Sequence, residues 1–195
     1  MSRIVKSPDI RRQELIEIAL KQFVENGYEQ TSVRSILNEA GGEIGMFYHY
    51  FKSKNEIYES ALAQYNEKYM VKVTGIVNAS GLNFEEKLDQ LFSITSGSIS
   101  EYGQMRTAKV DPEIMTILHH RTLLKMAPLF EVLILDGLKK NTMKSPIPNT
   151  HLLSHFILFG ISAMLHDREV SSMEEKVGHI KKLIGKILDT EIGGI

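Results

Sequence analysis

The chain has 195 residues, 43% of them hydrophobic and 24% charged, with a net charge of −1 and no cysteine. That is material for one large domain or a small unit beside a larger one, and it excludes disulfides and thiolate metal sites. With charges so nearly balanced, any basic surface for an acidic partner has to be local.

The opening MSRIVKSPDIRRQ holds no long apolar run, so no signal peptide is expected and a cytoplasmic setting fits. Ser7-Pro8-Asp9 reads as a helix start: a hydroxyl cap, a proline in the first turn and an acid at the positive end of the dipole. Leu15, Ile16, Ala19, Leu20, Phe23 and Val24 then recur at helical spacing until Gly27 closes the helix. Thr31-Ser32 caps a short second helix with Val33, Ile36, Leu37 and Ala40 inward. Gly41-Gly42 breaks it, and a short third helix carries five consecutive rings from Phe47 to Phe51. Ser53-x-x-Glu56 is a capping box that opens a long fourth helix through Ile57, Leu62 and Tyr65 toward Val77.

NASGLN, residues 78–83, is the best break before the rest of the chain. Asn83-Phe84-Glu85-Glu86 begins a further helix, and Asp111-Pro112-Glu113 begins another running past His119, which Pro128 is expected to interrupt or restart. A polar loop, KKNTMKSPIPNT, leads to a helix over about 151–166. The last helix carries Met173, Val177, Ile180, Ile184 and Ile187 as a packing seam. No strand-type alternation and no internal repeat occurs, so the chain reads as all-α.

Residues 145–166 lack Asp, Glu, Lys and Arg, which raises the question of a membrane span. Pro146, Pro148, Asn149, His151, Ser154 and His155 fall within it, leaving about seventeen usable residues, at the lower limit for a span. A helix buried on both sides is expected instead.

The ring run shows what the N-terminal unit is for. At about 100° per residue, Phe47 and Phe51 share an inner face while Gly45 and His49 point the opposite way, flanked by Met46 and Tyr48. So short a helix needs the first two to hold it. A glycine-permitted turn between two helices, followed by an outward face with Gly45 bare for close approach, is a helix-turn-helix.

RRQELIEIALKQFVENGYEQTSVRSILNEAGGEIGMFYHYFKSKNEI resembles the N-terminal DNA-binding unit of the TetR family of transcriptional regulators. The likeness rests on Phe23, Gly27-Tyr28, Thr31-Ser32-Val33, Ile36, Ala40-Gly41, Tyr48, Phe51, Lys54 and Glu56. It implies a helix-turn-helix domain over residues 1–54 and a ligand-binding and dimerisation domain over 55–195, linked by the long fourth helix. It also implies a homodimer on a near-palindromic double-stranded operator, released by a small molecule. By position, the resemblance makes Tyr48 and Lys54 phosphate contacts, with His49 and Tyr50 as secondary ones and the Thr31-Ser32 cap facing the backbone. Arg34 falls where a base edge is reached, and Ile44, Gly45 and Met46 where base contact is expected. Met46 either packs on thymine methyl groups or folds back onto the core. Two positions depart from the family pattern: Glu43-Ile44 stands where Ser-Lys is usual, and Gly42 replaces an apolar residue. Residues 1–54 hold eight Lys or Arg against seven Asp or Glu, with Arg3, Lys6 and the Arg11-Arg12 pair as the N-terminal basic supply.

For the rest of the chain, the expectation is an apolar or amphipathic effector in a pocket lined by Phe92, Met105, Leu118, His119, Leu123 and Phe130. Dimerisation is expected through the last two helices, using Leu153, Phe156, Ile157, Gly160, Met164, Val177, Ile180, Ile184 and Ile187 in a four-helix intermolecular bundle. His151 and His155 have zinc-permitting spacing, but without cysteine or a carboxylate trio no metal and no cofactor is expected. No nucleophile triad or phosphate loop points to an enzyme. The alternative to a ligand-responsive repressor is a constitutive or protein-partnered DNA-binding regulator.

Overall fold

The computed structural model describes residues 7–105, 112–167 and 172–190, of which 102, 104, 105 and 112–115 are described in backbone only. Among them run eight helices and no strand: α1 (Pro8–Gln30), α2 (Val33–Ala40), α3 (Ile44–Tyr50), α4 (Lys54–Val77), α5 (Phe84–Met105), α6 (Pro112–Lys139), α7 (Thr150–His166) and α8 (Met173–Ile187). No helix among the described residues is long and apolar enough to cross a membrane.

The chain forms two compact units, one from the described residues of Met1–Tyr69 and Ser98–Leu118, the other from Met70–Gly97 and His119–Ile195. The division cuts across α4, α5 and α6 and does not fall in the loop at 78–83.

In the first unit, α1, α2, α3 and the start of α4 close around one core. Leu15, Phe23, Ile36, Phe47, Phe51, Ile57, Tyr58 and Leu62 are all essentially sealed from solvent. Local chemistry fixes where each helix starts. Ser7 Oγ accepts from Ile10 N, and Ser32 Oγ from Ser35 N, whose own hydroxyl accepts in return from Ser32 N at 3.0 Å. At α4, Ser53 Oγ accepts from Glu56 N, while Glu56 Oε2 reaches back one residue further than expected, to Lys52 N at 2.6 Å. Gly27 leaves helical geometry at φ 77°, and the chain turns again at Gly41 (φ 64°), conformations that suit glycine.

In the second unit, α7 packs on α8. Leu153, Ile157, Leu158 and Leu165 of α7 and Val177, Ile180 and Ile184 of α8 are buried. Buried lysines close helix ends: Lys87 Nζ donates to Val77 O at 2.7 Å, and Lys176 Nζ to Leu165 O at 3.3 Å. Asn83 and Glu86 form a reciprocal cap at α5.

Pro128 does not interrupt α6, which runs unbroken through it. Pro128 and Leu124, the residue whose carbonyl loses its helical donor, are both exposed, so the lost bond falls on the open side of the helix. Nor is α7 buried on both sides: Leu152 and Phe156 are exposed.

Candidate nucleic-acid interface

The third helix is anchored by two rings and shows two others. Phe47 and Phe51 lie 5.7 Å apart and are buried, while Tyr48 stands 60% exposed and Ile44 57% exposed one turn before it. His49 is also exposed, its ring edge-on to Tyr50 at 4.7 Å. A Cβ at Gly45 would meet nothing within 4 Å. Ile44, Gly45, Tyr48 and His49 therefore make one continuous outer face of apolar surface, bare backbone and polar ring. Arg34 on α2 and Lys52 after α3 are exposed cations; Lys52 went unnoticed in the sequence because it lies outside the helical pattern.

Thr31 and Tyr50 are placed differently from expectation, and Met46 takes the inward of its two expected directions. Thr31 is only 1% exposed, and its hydroxyl donates inward to Gln22 O and Gly27 O at 3.0 and 2.9 Å. It closes the kinked end of α1, and the cap of α2 is left to Ser32 and Ser35. Met46 is half-buried and packs on the core, its ε-methyl too close to Gly42 to leave room for a Cβ there. Tyr50 is also half-buried against the core, since it neighbours Phe47 and Phe51 on the helix.

Lys54, the first residue of α4, holds its ammonium 4.0 Å from the centre of the Tyr28 ring. Tyr28 stacks on Phe23 at 5.7 Å, and Tyr58 meets both edge-on. The cation at the helix N-terminus is thus carried by an aromatic cluster that the helical stripes alone do not disclose.

The Arg11-Arg12 pair serves the fold. Arg11 Nη1 donates to Glu14 Oε2 at 2.7 Å and to Ala40 O at 3.3 Å, tying α1 to the end of α2. Arg12 lies over the Phe51 ring at 4.9 Å and donates to Ser60 Oγ. Arg3 and Lys6 lie outside the described residues.

Gln22, absent from any sequence pattern, is a buried polar fastener: Nε2 donates to Glu39 Oε2 at 2.8 Å and Oε1 accepts from Ser35 Oγ at 2.7 Å. These bonds hold the Glu39 carboxyl below its ordinary range, first through Gln22 and then through Lys21.

The residues expected to line a pocket fall in both units. Leu118 packs on the core of the first unit. In the second unit, Leu123 forms a small cluster with Ala127 and Leu158, Phe92 and Phe130 are buried, and His119 bonds Ser162 Oγ at 2.9 Å. The Met105 side chain lies outside the described residues. One recess of the second unit, about 270 Å³, is lined by Val77, Lys87, Val132, Leu133, Asp136 and Lys140 among others.

The residues expected at the dimer seam differ in burial. Leu153, Ile157, Val177, Ile180 and Ile184 are buried within the single chain, on helices that pack on each other. Ile187 and Met164 are half-buried. Phe156 and Gly160 remain exposed, with Leu152 and Ala163 beside them on the same side of α7.

Comparison with known proteins agrees with this geometry. Residues 15–61 match the profile described as bacterial regulatory proteins, tetR family. The chain is 32% identical over 102 residues to the HTH-type transcriptional repressor KstR2 of Mycobacterium tuberculosis (strain CDC 1551 / Oshkosh), covering 52% of this chain and 50% of that protein. It thus spans about half the length of that relative. Among solved structures, a transcriptional regulator from Cytophaga hutchinsonii ATCC 33406 superposes with a TM-score of 0.72 at 17% identity, over 91% of this chain and 96% of that one. The reduced form of Escherichia coli NemR superposes at 0.63 and 12% identity, over 93% and 99%. These two likenesses speak for the fold throughout, and the sequence match for the unit that carries α3. Over residues 15–61, the chain is similar to the tetR family of bacterial regulatory proteins.

Proposed function

We propose that this protein is a DNA-binding transcriptional regulator, a homodimeric repressor that leaves its operator when it takes up a small apolar or amphipathic molecule. The observation that carries the DNA-binding part is the outer face of α3. Ile44, Gly45, Tyr48 and His49 are exposed together on a helix held by buried Phe47 and Phe51. Such a face offers the major groove an apolar contact for thymine methyl groups, a backbone free of side chain, and a phenol to donate to phosphate. Lys54 adds a cation beside the first N–H groups of α4, where an anion is favoured. Repression is what the name of the M. tuberculosis relative states of that protein.

Functionally, residues 1–54 serve DNA binding and 55–195 effector binding and dimerisation, with α4 joining them. Two-fold pairing through the exposed side of α7 would place two reading helices on successive half-sites. An effector then acts by preferring a dimer whose reading helices are wrongly spaced. The packing of Leu123 into a small core cluster favours a second reading, a regulator without a small-molecule effector. Duplexes from the DNA flanking the chain's own coding region, titrated with the protein in the presence of a panel of apolar small molecules, separate the two. Release by any of them supports the first reading; binding that none of them alters supports the second. No binding to any flanking duplex contradicts both.

A further inference from the structure

We propose that Gly42 determines which side chains this protein presents to DNA, because it alone makes room for Met46 to turn inward. The inference rests on the DNA-binding reading of α3. Met46 lies about 100° round the helix from buried Phe47, at the border between core and outer face, so either direction is open to its long side chain. It takes the inward one, half-buried and packed on the core.

The space it fills exists only because residue 42 has no Cβ. A Cβ built there would lie 1.9 Å from the Met46 ε-methyl, 3.1 Å from its sulfur and 3.4 Å from Leu37 Cδ2. A side chain at 42 and an inward Met46 therefore exclude each other. Backbone freedom is not the reason for this glycine: the glycines of positive φ among the described residues are Gly27 and Gly41. What gives way is the flexible end of a thioether, so a larger residue 42 would re-aim Met46 without breaking the turn. Gly45 next to it is open to solvent, leaving the displaced thioether a place on the outer face. In the native chain the apolar reading contact is then Ile44 alone, directed at a thymine methyl. With residue 42 enlarged, Met46 joins it and a further base pair in each half-site is read.

The test uses the full chain and a duplex library with a randomised core, sequenced after retention by wild type, Gly42→Ala, Met46→Ala and the double variant. Met46→Ala should enrich the same sequence as wild type. Gly42→Ala should gain or change a preference at one added position per half-site, by roughly fivefold or more, and the double variant should lose it again. A preference altered by Met46→Ala, or unaltered by Gly42→Ala, overturns the inference while leaving DNA binding intact. A wild-type chain that enriches nothing overturns the DNA-binding reading itself. Independently of any variant, the free wild-type chain with ¹³C-methyl methionine should show a close contact between the Met46 ε-methyl and the Gly42 α-protons; its absence overturns the inference.

Discussion

Gln22 and Ser35 are bonded to each other twice: Ser35 Oγ donates to Gln22 Oε1 at 2.7 Å, and Gln22 Nε2 donates to Ser35 O at 3.3 Å. The same Ser35 hydroxyl caps α2, so the geometry of the helix-turn-helix is set by a side chain of α1. Gln22→Ala leaves this hydroxyl and carbonyl without their buried partner. Unfolding should show a loss of about 1–3 kcal/mol, while Gln13→Ala, on the exposed side of α1, should change little.

Gly45→Ala separates stability from recognition. An added Cβ meets nothing in the free protein, so the helix should gain up to about 1 kcal/mol. The same methyl group stands where DNA approaches the backbone. Melting temperature should rise and DNA affinity fall; a rise in both would place Gly45 away from the DNA.

Charge changes around α3 should divide by their salt dependence. Glu43 is exposed, with no side-chain cap bond, at the N-terminus of the reading helix. Glu43→Gln should tighten binding to specific and random DNA alike, at a cost in helix stability of roughly 0.3–1 kcal/mol from the dipole. Lys54→Ala should weaken both, lower the salt slope by about one ion, and destabilise the fold by roughly 0.5–1 kcal/mol through the lost Tyr28 contact. Tyr48→Phe should weaken binding with the slope unchanged. If Glu43→Gln weakened only the preferred sequence, Glu43 would be a base reader accepting from a cytosine amino group.

The exposed and the buried face of α7 can be told apart by substitution. Phe156 is 70% exposed, and Phe156→Asp should convert a dimer to a folded monomer in sedimentation at micromolar concentration. Leu153 is 3% exposed within its own chain, so Leu153→Ala should cost about 2–5 kcal/mol of stability instead. A Phe156→Asp protein that stays dimeric would move the interface elsewhere.

His119 should make the second unit acid-sensitive. Burial, then the neighbouring His166 and His120, push its pKa below the ordinary 6.5. The unfolded chain therefore takes up the proton more readily than the folded one. Stability from this group is complete above pH 6.5 and is lost as pH falls toward the lowered folded value. Denaturant unfolding between pH 7 and 5 should show this loss, and His119→Gln should reduce it.

What the sequence disclosed was local. Ser7, Ser32, Ser53 and Asn83 each cap a helix through a bond to a residue three positions on, so the signal lies within one turn. The inward pair Phe47 and Phe51 followed from helical spacing in the same way. The α8 seam shows the limit of such reasoning: a periodic stripe says that a helix is buried, not what it packs against. Thr31, Met46 and Gln22 depended on groups brought close by folding, two carbonyls near the end of α1, a missing Cβ one turn earlier, and a serine on the next helix. None of these leaves a periodic trace.

The central claim is that the face of α3 binds duplex DNA as a charged, sequence-reading surface. Its most direct test is the affinity of the full chain for a palindromic duplex flanking its coding region, measured against salt concentration with a scrambled duplex beside it. The account predicts tighter binding to the palindrome, a linear fall of log affinity with log salt for both, and a slope smaller by about one in Lys54→Ala. Equal affinity for the two duplexes, or binding indifferent to salt, would contradict it.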